Sequence, residues 1–155
     1  MGGITIRKAE LGDLPRIIKL LSEDILGSGR EIYSDPPHKR YIDAFNDIAA
    51  DKNSVLLIVC EDEEVVGSLQ ITFTRYLSHM GALRATVENV RVAADKRGSG
   101  IGTKLMNYAI DLARDKGCSI VQLTSDKSRK DAHRFYRRLG FESAHEGMKL
   151  SLEQA

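Results

Sequence analysis

The sequence predicts an α+β fold: a single mixed, mostly antiparallel sheet flanked by helices on both faces. Three observations carry this. Apolar-rich runs of strand length recur at 54–60, 65–73 and 84–92 with short connections, so neighbouring strands pair antiparallel. Two segments before them, from Asp13 and from His38, show a one-sided apolar face at helical spacing. After them a strand, a glycine-rich turn, a helix and another strand follow in succession, a β-α-β crossover of right-handed sense. One sheet covered by helices on both sides buries all of these faces.

The elements follow in order. Ile4-Thr5-Ile6-Arg7 alternates apolar and polar residues and reads as a first strand. A helix starts near Asp13, a candidate N-cap, with Pro15 in its first turn. Leu14, Ile17, Ile18, Leu21 and Ile25 make its buried face, and Gly27-Ser28-Gly29 ends it. Residues 27–37 form a loop. A second helix over 38–50 buries Tyr41, Ala44, Phe45 and Ile48. The run at 54–60 is almost continuously apolar, as a central strand is. Asp62-Glu63-Glu64 turns the chain into its partner at 65–73. Residues 75–82 connect to the strand at 84–92. The helix after the glycine turn runs to Lys116 and closes at Gly117. A strand at 119–124 and a helix from Arg129 follow, the latter with Ala132, Phe135, Tyr136 and Leu139 on one face and Gly140 as its stop. Phe141-Glu142 and 148–152 are expected to form a last short strand pair. The chain reads as one domain over 1–155, with no internal repeat or linker.

Composition narrows the function. The chain has 42% hydrophobic and 29% charged residues, within the soluble globular range. No apolar run approaches the ~18 residues of a membrane helix, and the N-terminus lacks signal-peptide character, so no membrane partner is expected. Cys60 and Cys118 lie among or beside apolar strand residues and read as buried thiols, which suits a cytoplasmic protein. The net charge of +1 conceals a division: residues 96–138 carry 11 basic and 4 acidic side chains. A polyanion or a phosphorylated cofactor each account for that. The aromatic residues are not interleaved with the basic ones on a strand, so no nucleic acid partner is expected. The four histidines show no ligand spacing, and no metal is expected.

The basic segment begins with Arg97-Gly98-Ser99-Gly100-Ile101-Gly102. A glycine-rich turn that opens a helix presents N–H groups with no helical acceptor, and the helix dipole adds partial positive charge. Such a turn binds phosphate. The third glycine is misplaced for a dinucleotide fingerprint, and a P-loop needs a longer loop and a Lys-Ser/Thr pair in that order. The spacing that fits is Arg97-x-x-Gly100-x-Gly102.

This pattern resembles the pyrophosphate-binding motif of the GNAT superfamily of acetyl-CoA-dependent N-acetyltransferases. Ala132-x-x-Phe135-Tyr136-x-x-Leu139-Gly140-Phe141 is similar to a second signature of that superfamily, and Glu88 precedes two alternate valines on the strand before the turn. Both blocks stand in the family's order, one helix and one strand apart, and the element order is that of the GNAT fold over nearly the whole chain.

The resemblance implies roles. The cofactor would be acetyl-CoA, with its pyrophosphate on Arg97, Gly98, Ser99, Gly100, Ile101 and Gly102. Its pantetheine arm would pair with the backbone of Val90, Arg91 and Val92, and a β-bulge near 88–91 would splay that strand from its neighbour. Arg129 stands where the family often has Asn. It and Phe135 are counted with the cofactor residues, and Lys127, Lys130 and Arg134 are further phosphate candidates. Glu88 would accept the proton of the attacking amine, whose pKa near ~10.4 keeps it charged at neutral pH. Tyr136 would donate to the leaving sulfur, and the Val90 N–H to the carbonyl oxygen. Tyr33, His79 and Arg84 are substrate-side candidates. The expected reaction is direct acetyl transfer to a small primary amine. The 131–136 segment also looks like aminoalkylphosphonate acetyltransferases. Protein N-terminal or lysine acetylation, and a non-catalytic acyl-CoA-binding module, are the alternatives. A homodimer is expected on resemblance.

Overall fold

The computed structural model describes residues 3–23 and 25–153, with the backbone alone at 25 and 26. Two compact units divide the chain, Met1–Gln122 and Leu123–Ala155. The sheet has five strands in the order of the chain: β1 (Ile4–Lys8), β2 (Ser54–Glu61), β3 (Glu64–Arg75), β4 (Leu83–Val92) and β5 (Ile120–Leu123). The pairs β1–β2, β2–β3 and β3–β4 are antiparallel. β5 is reached from β4 through helix α5 (Ile101–Lys116), and the Ser119 N–H donates to the Leu83 carbonyl at 2.9 Å.

The pleat sorts residues to two faces. Ile71 pairs with Val87 and Phe73 with Ala85, and all four are buried. Lys116 of α5 lies over the Phe73 ring, so this is the α5 face. Ile101, Leu105, Met106, Ala109 and Ala113 are the buried residues of α5, at the spacing of one helical stripe. Each fully buried aliphatic side chain there contributes about 1.5–3 kcal/mol. The helix ends where the sequence predicts: Gly117 is left-handed, and the Cys118 N–H returns to the Ala113 carbonyl at 2.9 Å.

On the other face Leu14 and Ile18 of α1 (Leu14–Ser22) pack with Phe45 of α3 (Lys39–Ala50), and Leu56 of β2 joins them. A single-turn helix, α2 (Ile25–Ser28), follows α1. Ile25, expected on the α1 face, lies outside the described side chains. Asp13 stands at the N-cap of α1, as expected, but its side chain makes no cap hydrogen bond there. Its carboxylate accepts the Glu10 N–H at 2.8 Å and two bonds from Arg7, at 2.8 and 3.1 Å, inside a 3-10 turn over Leu11–Asp13. An ion-pair partner six residues upstream outcompetes the local cap. At α3 the His38 ring accepts the Arg40 N–H at 3.1 Å, so His38 is the cap rather than a helical residue.

Two irregularities shape the middle of the sheet. Gly67 has no room for a side chain: a Cβ would lie 2.7 Å from Val59 Cγ1 and 2.9 Å from the Arg91 carbonyl oxygen. In β4, Gln70 pairs with Glu88 while Ser68 pairs with Arg91, so Asn89 and Val90 together oppose Leu69. That is a β-bulge, within the 88–91 stretch where the sequence predicts one. Asn89 takes φ +55°, a conformation its short polar side chain tolerates.

The second unit holds α6 (Lys130–Arg138), stopped by Gly140 at φ +102°. The expected strand pair at 141–142 and 148–152 does not form. Met148, Leu150 and Leu152 alternate as a strand would, yet they are exposed. Alternation supplies one apolar face; a strand also needs a hydrogen-bonded neighbour, and none forms there among the described residues.

Candidate active site

The glycine turn has the backbone that an anion cradle requires. A 3-10 turn over Ala94–Lys96 leads in, tied to β2 by the Lys96 ammonium, 2.8 Å from Glu61 Oε1. That hydrogen bond raises the Lys96 pKa. Arg97 is extended and exposed. Gly98 and Gly100 follow at φ +78° and +87°, both in the left-handed region where a side chain is strained. Nothing lies within 4 Å of where either Cβ would stand, so the space before the backbone is open. Gly100 is the N-cap of α5 and provides no side chain to cap it. The first intrahelical bond is Lys104 N–H to the Gly100 carbonyl at 3.1 Å, which leaves the N–H groups of Ile101, Gly102 and Thr103 ahead of the ladder. Ser99 Oγ donates to the Lys96 carbonyl. Charge, open space and aligned donors fit a diphosphate, so the residues present suit acetyl-CoA at this turn.

The strand that leads into the turn carries Glu88. Its carboxylate is exposed, with no ion pair or hydrogen bond among the described residues. It shares its face with Gln70, its cross-strand partner. The bulge next to it frees the register of Val90, whose carbonyl accepts a bond from Arg91 Nη1 at 2.9 Å. Val92 returns to register opposite Gly67.

The same face continues away from the bulge as a polar ladder. Thr72 pairs with Thr86, and Thr74 with Arg84. Gln122 of β5 donates to Thr86 Oγ1 at 3.1 Å. The Arg84 guanidinium stacks on Tyr76, 4.7 Å from the ring centroid. On the opposite side of Glu88, an apolar cleft opens between the sheet and the two helices, lined by Ile18, Leu21, Tyr41, Phe45, Gln70 and Asn89 among others. Ala44 and Ile48 line it too, although Ala44 is exposed rather than buried as expected.

Of the other substrate-side candidates, His79 lies in α4 (Ser78–Gly81), a single turn between β3 and β4 where it and Met80 are left-handed. Tyr33 is exposed in the loop after α2. Neither makes a hydrogen bond or ion pair among the described residues. That loop is tied to α3 by Tyr41, whose hydroxyl donates to Glu31 at 2.9 Å and accepts the Ile32 N–H at 3.0 Å. Burial, with the Glu31 carboxylate, raises the Tyr41 pKa. Tyr41 and Asn89 line the cleft and Tyr76 lies under Arg84, positions that the sequence pattern does not mark: each reads as an ordinary helix, loop or strand position until its neighbours are known.

In the second unit, Phe135 and Tyr136 meet edge-on with centroids 5.2 Å apart, and Tyr136 meets Phe141 at 5.9 Å. Arg129 is the N-cap of α6. Asp126 accepts the Ser128 N–H and hydroxyl at 2.9 and 2.6 Å, which lowers its pKa. Arg134 is paired with Asp131. Burial pushes the thiols of Cys60 and Cys118 up, away from nucleophilic thiolate. Among the described residues no cluster of His, Cys, Asp and Glu could hold a metal, and no helix is long and apolar enough to cross a membrane.

Comparisons agree with this geometry. A solved structure from Bacillus halodurans C-125, described as a transcriptional regulator, is 47% identical, with a TM-score of 0.94 over 97% of this chain and 100% of that one. The aminoalkylphosphonate N-acetyltransferase of Salmonella typhimurium is 29% identical over 70% of both chains. The L-methionine sulfoximine/L-methionine sulfone acetyltransferase of Pseudomonas aeruginosa is 29% identical over 89% of this chain and 80% of its own. The sequence model of the acetyltransferase (GNAT) family matches residues 17–141, across both the glycine turn and the Phe135-Tyr136 block. The chain therefore belongs to the GNAT family of acetyl-CoA-dependent N-acetyltransferases.

Proposed function

We infer that this enzyme acetylates the primary amine of a small molecule by direct attack. The observation that carries this reading is Glu88: a carboxylate with no ion pair or hydrogen bond among the described residues, beside a β-bulge, on the strand that leads through the 94–96 turn to the glycine turn. Acetyl-CoA supplies the acetyl group as a thioester. Glu88, directly or through water, takes the proton that an ammonium must lose to become a nucleophile. The amine nitrogen then bonds to the carbonyl carbon and the carbon–sulfur bond breaks. The Val90 N–H is proposed to donate to the carbonyl oxygen, and the Tyr136 hydroxyl to the departing sulfur. A thiol near ~8.5 is more acidic than a phenol near ~10, so Tyr136 acts first as a hydrogen-bond donor, and the sulfur's proton arrives as the amide nitrogen gives up its second. The backbone of Val90 and Val92 and the turn over 97–102 are proposed to hold the cofactor, and Arg129 and Phe135 are proposed as further cofactor residues.

Two relatives named for small-molecule amines support the small-molecule reading. A nucleic-acid-binding role is favoured by one fact, the description of the B. halodurans structure as a transcriptional regulator. Thermal unfolding with each ligand separates the two. The enzyme reading expects acetyl-CoA to raise Tm and duplex DNA to leave it unchanged; the reverse overturns it. A panel of amines, peptides with free N-termini and lysine peptides, followed by release of free thiol, then assigns the acceptor. Binding of acetyl-CoA with no thiol release from any member would make this a cofactor-binding module.

A further inference from the structure

We propose that the acceptor carries an oxyanion group, carboxylate or phosphonate in type, in addition to its amine, and that Arg84 binds it. This rests on the acetyltransferase reading above. Three facts about this chain lead there. Arg84 stands four residues before Glu88 on one strand, so both side chains leave the same face of β4. The pairs between them and across from them, Thr74 with Arg84, Thr72 with Thr86 and Gln70 with Glu88, are all polar, whereas the opposite face at Ala85 and Val87 is wholly apolar and buried. Finally, the Arg84 guanidinium is only partly satisfied. Among the described residues its Nε is shut from solvent with no hydrogen-bond partner, and the guanidinium lies over the Tyr76 ring.

The chemistry of that arrangement is specific. Lys96 has Glu61, Arg7 has Asp13 and Arg134 has Asp131, but Arg84 has no carboxylate among the described residues. A guanidinium over an aromatic ring still offers N–H groups able to make two parallel bonds to an oxyanion. Thr86 adds a donor: it accepts from Gln122, which leaves its own hydroxyl proton to point elsewhere. The strand rise puts Arg84 about 13 Å from Glu88, with Thr86 halfway. A cation and a hydroxyl at one end of a polar strip, and a carboxylate at the other, complement a molecule that is an anion at one end and an ammonium at the other. Neutral amines and polyamines leave Arg84 unanswered.

Matched acceptors test this. 8-Aminooctanoate is compared with 8-aminooctanamide, and 6-aminohexylphosphonate with hexylamine, in wild type, Arg84→Gln and Arg84→Lys; each is long enough to reach from Arg84 toward Glu88. Wild type should favour the anionic member of each pair. Arg84→Gln should reduce that preference by about tenfold or more, through KM rather than kcat, and Arg84→Lys should restore part of it. Comparing variants cancels the difference in amine basicity within each pair. The KM for acetyl-CoA should not change between the three proteins. A preference for anions that survives Arg84→Gln overturns the assignment, as does a wild type that favours the neutral members. Should no amine be acetylated, the enzymatic reading fails by itself, and calorimetric titration of 6-aminohexylphosphonate still decides this one. Binding by wild type that Arg84→Gln abolishes supports it; no binding by wild type overturns it.

Discussion

Gln70 and Glu88 face each other across β3 and β4, and they are the last pair in register before Asn89 and Val90 bulge out opposite Leu69. The candidate base thus stands where the register of the ladder shifts.

Replacing the base should produce a pH signature. Glu88→Gln is expected to lower kcat/KM by about 10²–10⁴ near neutral pH. The loss should shrink as pH rises toward the amine pKa of ~10.4, because more of the acceptor is then already unprotonated. Initial rates from pH 6.5 to 10 check this. A loss of constant size across that range would remove Glu88 from proton transfer.

The turn should answer to a single methyl group. Gly100 sits at φ +87° and caps α5. Gly100→Ala is expected to cost about 1–2 kcal/mol of stability from the left-handed strain, seen as a Tm lower by several degrees. Because its Cβ meets no protein atom, crowding inside the fold adds nothing to that. Acetyl-CoA affinity should fall by more than the stability loss explains, since the methyl group intrudes on the anion's approach. Paired calorimetry of unfolding and of cofactor binding measures both.

Asn89 offers a complementary test of the bulge. At φ +55° it should accept Gly with little change, while Asn89→Val should destabilise by about 1–3 kcal/mol. Denaturant midpoints of the three proteins are the measurement. Equal midpoints for Val and Asn would mean that the bulge relaxes away.

Acid should release the first turn. Burial favours the neutral form of Asp13, but the bonds from Arg7 and the Glu10 N–H outweigh it and leave the pKa below the usual carboxylate value of 3.8. A carboxyl lowered in the folded state contributes stability above its unfolded pKa and loses it as pH falls through the folded one. Asp13→Asn should therefore be less stable than wild type by about 1–2 kcal/mol at pH 7, and the gap should close below about pH 4. Urea unfolding at pH 7, 5 and 3.5 follows it.

For Tyr136, removal of the hydroxyl alone is informative because its edge-on contacts with Phe135 and Phe141 are made by the ring. Tyr136→Phe should slow single-turnover chemistry about ten- to a hundredfold and leave the Kd for acetyl-CoA nearly unchanged. A variant that mainly binds the cofactor more weakly would make Tyr136 a packing residue.

Much of this protein was legible before any coordinates. The stripe Ile101, Leu105, Ala109 and Ala113, the stop at Gly117 and the strand at β2 are local facts: helical period, a glycine able to turn left-handed, an unbroken apolar run. The glycine turn is local too, since its left-handed glycines and the N–H groups ahead of the helix ladder belong to its own backbone. Contact across the chain decided the rest. Where β4 slips register depends on its hydrogen bonds to β3, and valines of both parities at 87, 90 and 92 suit more than one register. Asp13 keeps the N-cap position, but its carboxylate bonds Arg7 and the Glu10 N–H rather than the α1 end, and among the described residues 148–152 forms no strand because alternation cannot provide its own neighbour. Arg84 looked like one more charged strand residue. Only the pleat, which sets it on the face of Glu88, and Tyr76 beneath it show a guanidinium with no carboxylate partner among the described residues.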